Sequence, residues 1–205
     1  MSKVITTFLS HNLEAKPAND PVVIFLHGYG ADEADLPDLI SHLPKIYWVS
    51  PRAPLSSGNG GFEWYLISPA DYTPQQDVER ATEKLWQWID ETFPANTPLI
   101  PIGFSQGALM ASQLLRTRPE RIMKTILLAG FILKAEQPAD KDLKSIKPKV
   151  LYCHGDADNR ISAEMVEDIQ TWLQANTNVT DKVYGGLGHS VDNRVIKDVS
   201  EFLTR

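Results

Sequence analysis

The segment Pro98-Leu-Ile-Pro-Ile-Gly-Phe-Ser-Gln-Gly-Ala-Leu-Met sets Gly103-x-Ser105-x-Gly107 between an apolar run and a stretch of small residues. A serine lifted on a sharp strand-to-helix turn needs slim neighbours two positions away on both sides, because Cβ atoms there would collide as the backbone folds back. The same turn aims the N–H of Gln106, at the start of the next helix, toward the place where an oxyanion would develop. Nucleophilic attack on a carbonyl is the chemistry this spacing suits. A serine hydroxyl is a weak nucleophile, so it requires a histidine to take its proton and a carboxylate to hold that histidine in one tautomer.

On the sheet such a turn implies, chain order runs Ser, acid, His, and only His154 and His189 follow Ser105. For His154 the acid would come from Glu120, Glu136, Asp140 or Asp142, which fall in a turn or a polar connection. For His189 it can come from Asp156 or Asp158, just past the strand that ends at His154. Strand C-terminal ends are where open α/β sheets place their working groups. His189 lies in Gly185-Gly-Leu-Gly-His-Ser, a glycine-rich loop that lets an imidazole reach over the serine, and is the candidate base. Asp156 directly follows Gly155 and could shape the turn; spacing leans toward Asp158 and leaves Asp156 open.

At the other end of the chain, Phe25-Leu-His-Gly-Tyr-Gly sets a strand end against a loop of two glycines, so the N–H of Tyr29 is the second candidate oxyanion donor beside Gln106. His27 and His154 each precede a glycine at a strand end and read as structural turn residues. Gly28-x-Gly30-x-x-Glu33 lacks the third glycine of a dinucleotide fingerprint, so no cofactor is expected. No two of His27, Asp32, His154 and Asp156 have paired-ligand spacing, so no metal is expected either.

The elements that must position these residues alternate. Val22 to His27, Ile46 to Ser50, Leu99 to Phe104, Thr125 to Ala129, Val150 to His154 and Val179 to Tyr184 read as strands, all but the last nearly continuous apolar runs. Strands covered on both faces look like this, which predicts a mostly parallel, doubly wound sheet flanked by helices. Val4 to Leu9 adds an antiparallel edge strand. Val78, Ala81, Leu85, Trp88, Ile89 and Phe93 recur at helical spacing, as do Val191, Val195, Val199 and Phe202, so both stripes read as core-facing helices. Leu36 to Leu43 reads as a shorter helix with Asp35 as cap and Pro37 in the first turn. Residues 51 to 75 carry too much Pro and Gly for a long helix yet contain Phe62, Trp64, Tyr65 and Tyr72; pocket wall and internal packing suit them equally. Residues 131 to 147 form a second, lysine-rich connection, and neither stretch is large enough for a cap domain, so the site should be shallow and open.

The chain has 205 residues, which fits a single domain over 1–205, and 42% of them are hydrophobic. With no apolar run long enough to span a bilayer and no basic-then-apolar N-terminal segment, a cytoplasmic protein without stable membrane insertion is expected. The one cysteine, Cys153, reads as core. A formal net charge of −6 without a dense Lys/Arg cluster argues against a nucleic-acid partner.

Taken together, Leu26-His-Gly-Tyr-Gly-Ala-Asp-Glu-Ala-Asp-Leu, Pro51-Arg-Ala-Pro, Gly61-Phe-Glu-Trp-Tyr, Gly103-Phe-Ser-Gln-Gly, His154-Gly-Asp-Ala-Asp and Gly188-His-Ser resemble the phospholipase/carboxylesterase family of α/β-hydrolases, which includes the acyl-protein thioesterases. The resemblance implies an α/β-hydrolase fold without a cap domain. It implies Asp158 as the acid, four residues after the histidine of its segment, and Tyr29 and Gln106 as oxyanion donors. The family's Trp-Phe/Tyr-Asp segment near the acyl site maps onto Trp64-Tyr65-Leu66, with leucine in place of aspartate, which makes Trp64 and Leu66 the substrate-binding candidates. Tyr29 stands where acyl-protein thioesterases often carry leucine, and the shorter chain suggests reduced loops around an acyl groove.

The expectation is therefore a cofactor-free serine carboxylesterase acting on small to medium acyl esters or thioesters through Ser105, His189 and Asp158. An acyl-protein thioesterase or lysophospholipase is the alternative within that chemistry. A catalytically silent binding module and a metal-dependent hydrolase are the alternatives outside it. Exposed aromatics on residues 62 to 72 could equally serve a homodimer contact or a lipid-facing rim.

Overall fold

The computed structural model describes residues 5–39, 46–58, 60–68 and 70–204. Its strands are β1 (Phe8–His11), β2 (Val22–Leu26), β3 (Tyr47–Pro51), β4 (Leu55–Ser56), β5 (Phe62–Glu63), β6 (Leu99–Phe104), β7 (Thr125–Leu128), β8 (Lys149–Gly155) and β9 (Asn178–Tyr184). Its α-helices are α1 (Asp35–Leu39), α2 (Gln75–Thr92), α3 (Gln106–Thr117), α4 (Asp140–Ile146), α5 (Ala163–Asn176) and α6 (Asn193–Thr204). A seven-stranded sheet runs in the order β1-β3-β2-β6-β7-β8-β9, and β4 pairs with β5 in a separate two-stranded piece. In the large sheet β1 is antiparallel to β3 and every other pair is parallel.

The continuous apolar runs divide between two faces with the strand period of two. Val22, Ile24 and Leu26 enter one core with α2, α3 and α5, while Val23 and Phe25 enter a second core with Leu36, Val195 and Val199. On β8, Val150 and Tyr152 join the first core, and Leu151 and Cys153 the second. Both faces are therefore dry in the central strands. The edge strand β9 is half exposed, and its sequence is correspondingly mixed.

Several elements differ from the sequence reading. The antiparallel edge strand spans Phe8–His11, leaving residues 5–7 outside it, with its register set by β3: Phe8 pairs with Pro51 and His11 with Trp48. Val4 itself lies outside the described residues. Asp35 is the first residue of α1, and the turn before it is made by Asp32, whose carboxylate accepts from the Ala34 N–H at 2.9 Å. The expected continuation of that helix to Leu43 falls outside the described residues. The 131–147 connection contains α4, and its first part is buried.

That connection is held by α3. Arg116, 1% exposed, pairs with Asp140 through Nε and Nη2 at 2.9 and 2.6 Å and donates to the Leu133 and Ala135 carbonyls at 2.7 and 2.9 Å. Gln113 donates to Gln137 at 2.9 Å beside it. A buried guanidinium with its carboxylate removed keeps an uncompensated charge, so Asp140→Ala is expected to lower stability by about 3 to 5 kcal/mol. Urea unfolding checks this; a loss under about 1 kcal/mol would mean that the carbonyl acceptors alone satisfy Arg116.

Candidate functional site

Ser105 sits between the end of β6 and the start of α3 with φ 53° and ψ −116°, a conformation that L-residues rarely adopt. Holding it there costs on the order of 1–3 kcal/mol. The surroundings over-determine it. The Ser105 N–H donates to the Leu128 carbonyl at 2.9 Å, and its own carbonyl accepts from Ala108 and Leu109 at 2.9 and 3.2 Å. The flanking glycines are required by contact: a Cβ on Gly103 would lie 2.1 Å from the Gly107 carbonyl oxygen, and one on Gly107 1.9 Å from that of Leu26.

His189 Nε2 lies 2.9 Å from Ser105 Oγ, and its Nδ1 lies 2.7 Å from Asp158 Oδ2. The other carboxylate oxygen, Oδ1, accepts from the Arg160 and Ile161 N–H groups at 2.8 and 3.1 Å. Burial by itself would raise the Asp158 pKa, but the bonds from His189 and the two amides outweigh it and hold the carboxyl below its ordinary value. An ionised Asp158 can only accept from Nδ1, which selects the imidazole tautomer that presents the Nε2 lone pair to the Ser105 hydroxyl.

The second aspartate left open by spacing does something else. Asp156 Oδ1 accepts from the Gly186 N–H at 2.7 Å, tying the glycine loop that carries His189 to the end of β8. In the same place the Ala157 N–H donates to the Leu187 carbonyl at 3.0 Å, and a Cβ on Gly155 would lie 1.9 Å from that oxygen.

The loops bearing Tyr29 and Gln106 are joined by residues 62 to 65. Gly30 N–H donates to Phe62 O at 2.9 Å, and Phe62 N–H to Ala31 O at 2.8 Å. The Gln106 side chain, 1% exposed, accepts from the Trp64 N–H at 2.9 Å and donates to Tyr65 O at 2.8 Å. The Trp64 indole N–H donates to His27 O at 2.9 Å. His27 is buried, with Nδ1 2.8 Å from the Gly28 carbonyl and Nε2 accepting from the Ala53 N–H at 3.0 Å. Burial pushes its pKa down against a smaller upward pull from Gly28, so the neutral imidazole links the Gly28 carbonyl to the Ala53 N–H. Arg52 closes the same region with a bidentate pair to Glu33, both contacts 2.5 Å.

A cleft of about 460 Å³ opens at Ser105 and His189, walled by Ile67, Tyr72, Phe104, Ile161 and Arg160. Trp64 and Leu66, assigned to substrate in the sequence reading, are not among its lining residues. Trp64 is consumed in bracing the loops, and Leu66 stands 60% exposed. The aromatic loop divides between both tasks considered for it: Trp64 and Tyr65 pack inward, whereas Ile67, Ser68 and Tyr72 form the wall. Arg160 and Ile161 were missed, although their position just past Asp158 was a usable signal. A larger groove of about 670 Å³ along α2, lined by Glu79, Glu83, Trp86 and Asp90, contains no residue of this constellation. Among the described residues no group of three His, Cys, Asp or Glu could hold a metal ion, and no helix is long and apolar enough to cross a membrane.

Comparison with known proteins agrees with this architecture. The chain is similar to acyl-protein thioesterase 1 of Yarrowia lipolytica, 27% identical over 213 residues that cover 93% of this chain and 94% of that protein. It is also similar to the carboxylesterase SOBER1 of Arabidopsis thaliana, 23% identical with 89% of each chain covered. The crystal structure of the Bacillus cereus carboxylesterase shares the fold, with a TM-score of 0.79 at 23% identity over 97% of this chain and 92% of that one. A profile of the phospholipase/carboxylesterase family matches residues 13–205, and the chain belongs to that family of α/β-hydrolases, as a carboxylic ester hydrolase.

Proposed function

We propose that the protein is a serine carboxylesterase of small to medium acyl esters, with Ser105 as nucleophile, His189 as base and Asp158 as the group that orients His189. The observation that carries this reading is the single imidazole lying 2.9 Å from Ser105 Oγ and 2.7 Å from Asp158. As Ser105 Oγ attacks the ester carbonyl, its proton passes to His189 Nε2, and the imidazolium is stabilised by the ionised Asp158. The backbone N–H groups of Tyr29 and Gln106 stabilise the oxyanion. His189 then protonates the departing alkoxide or thiolate, leaving an acyl-enzyme, and water activated by the same imidazole releases the acid. The open, apolar-walled cleft and the absence of lining from Trp64 and Leu66 support short acyl chains over long ones.

Ser105→Ala is expected to lower kcat/KM for p-nitrophenyl butyrate by about four to six powers of ten. Initial rates of the two proteins side by side check it, and comparable turnover would mean that another group is the nucleophile.

Trp64→Phe deletes the indole N–H on His27 while keeping a ring in the core. One hydrogen bond contributes roughly 1 kcal/mol to stability, so the folded state should lose about that much in urea unfolding, with kcat lowered and KM nearly unchanged. Steady-state kinetics decide it; a change confined to KM would instead put Trp64 in contact with substrate.

Because the folded pKa of His27 is lowered, the unfolded chain takes up the proton first. The stability it contributes is full above about pH 6.5 and falls as pH drops toward and through the folded value. Urea midpoints measured from pH 7.5 to 5 should therefore decline more steeply in the wild type than in His27→Gln, and equal slopes would contradict the assignment.

A further inference from the structure

Arg52, Arg80, Arg116, Arg118, Arg121 and Arg194 each sit within ion-pair distance of an Asp or Glu. Arg160 is the exception among the described arginines, and it is the one that lines the cleft with Ser105 and His189. In a chain of net charge −6 a carboxylate partner is not scarce. The two acids in its own loop are committed elsewhere, Asp158 to His189 and Asp156 to the Gly186 N–H. The Arg160 N–H is bonded to Asp158 Oδ1 at 2.8 Å, so the side chain departs from a fixed point beside the nucleophile.

We propose that Arg160 is an anion-binding subsite and that the preferred substrates are esters or thioesters whose acyl part ends in a carboxylate; this rests on the esterase reading above. The guanidinium fork offers two parallel N–H donors that match a carboxylate. No lysine or second arginine is among the described lining residues, which suits one negative charge. Ile67, Tyr72 and Ile161 supply an apolar wall for the methylenes between that charge and the scissile carbonyl. The chemistry at Ser105 is unchanged: water is consumed, the acyl C–O or C–S bond breaks, and a dicarboxylic acid and the alcohol or thiol are released. The reaction that supplies such a substrate is the monoesterification of a dicarboxylic acid.

The test compares kcat/KM for mono-p-nitrophenyl adipate and suberate with that for their methyl-capped counterparts, in wild type, Arg160→Gln and Arg160→Glu. The charged-over-capped ratio is read within each preparation, so it does not depend on how much of a variant folds. It should fall about two- to fivefold in Arg160→Gln and further in Arg160→Glu, and the wild-type ratio should shrink as salt is raised. The same ratio in wild type and Arg160→Gln for both acids would overturn this proposal alone. Turnover of the capped esters that survives in Ser105→Ala would overturn the esterase reading and this proposal with it.

Discussion

The backbone of α3 lies so close to the end of β2 that Gly107 has no room for a Cβ, which would stand 1.9 Å from the Leu26 carbonyl oxygen. The site depends on that approach. It lets the chain reverse between β6 and α3 within one residue, forces Ser105 to φ 53°, and brings the first turn of α3 beside the loop that follows β2. The strain is local and of the order of 1–3 kcal/mol. It is carried by an eleven-residue stretch of α3, Gln106 to Arg116, in which every residue is buried. Such a helix cannot relax outward, so the unfavourable torsion persists.

What the sequence revealed follows from which interactions are local. The central strands were readable because both faces are buried, so their residues are apolar without interruption; Leu99–Phe104 appears with the expected bounds. Ser105, His189 and the two loop aspartates were readable because chain order and glycine spacing are written along the chain. The choice between Asp156 and Asp158 depends on which carboxylate meets His189 across 31 positions, and spacing has no access to that. The same limit applies to Trp64. An aromatic residue beside a site and an aromatic residue bracing it have the same local sequence, and only the partner of the indole N–H separates them. Likewise the start of β1 is decided by its pairing with β3, not by its own hydrophobicity.

Several polar side chains around the site are held by the backbone. Gln106 bonds to the main chain of Trp64 and Tyr65, His27 to that of Gly28 and Ala53, and Asp158 to that of Arg160 and Ile161. Main-chain partners are independent of side-chain identity, so the loops can vary in sequence while their spacing stays fixed. This is one physical reason why a solved structure only 23% identical to this chain shares its fold.

The two bonds made by His189 differ in mechanical character. Its bond to Asp158 lies inside a clamp, because the loop of His189 and the loop of Asp158 are already joined by Asp156 to Gly186 and by Ala157 to Leu187. Its bond to Ser105 spans the β8 clamp and the β6–α3 turn, which are joined through β7, and among the described residues His189 otherwise meets that turn through the Phe104 ring at 4.9 Å. Of the two, the contact between imidazole and hydroxyl is the less braced, while Asp158 and His189 are held together as one unit. The orientation of the imidazole is thus fixed from the β8 side alone, independently of whatever lies against the Ser105 hydroxyl.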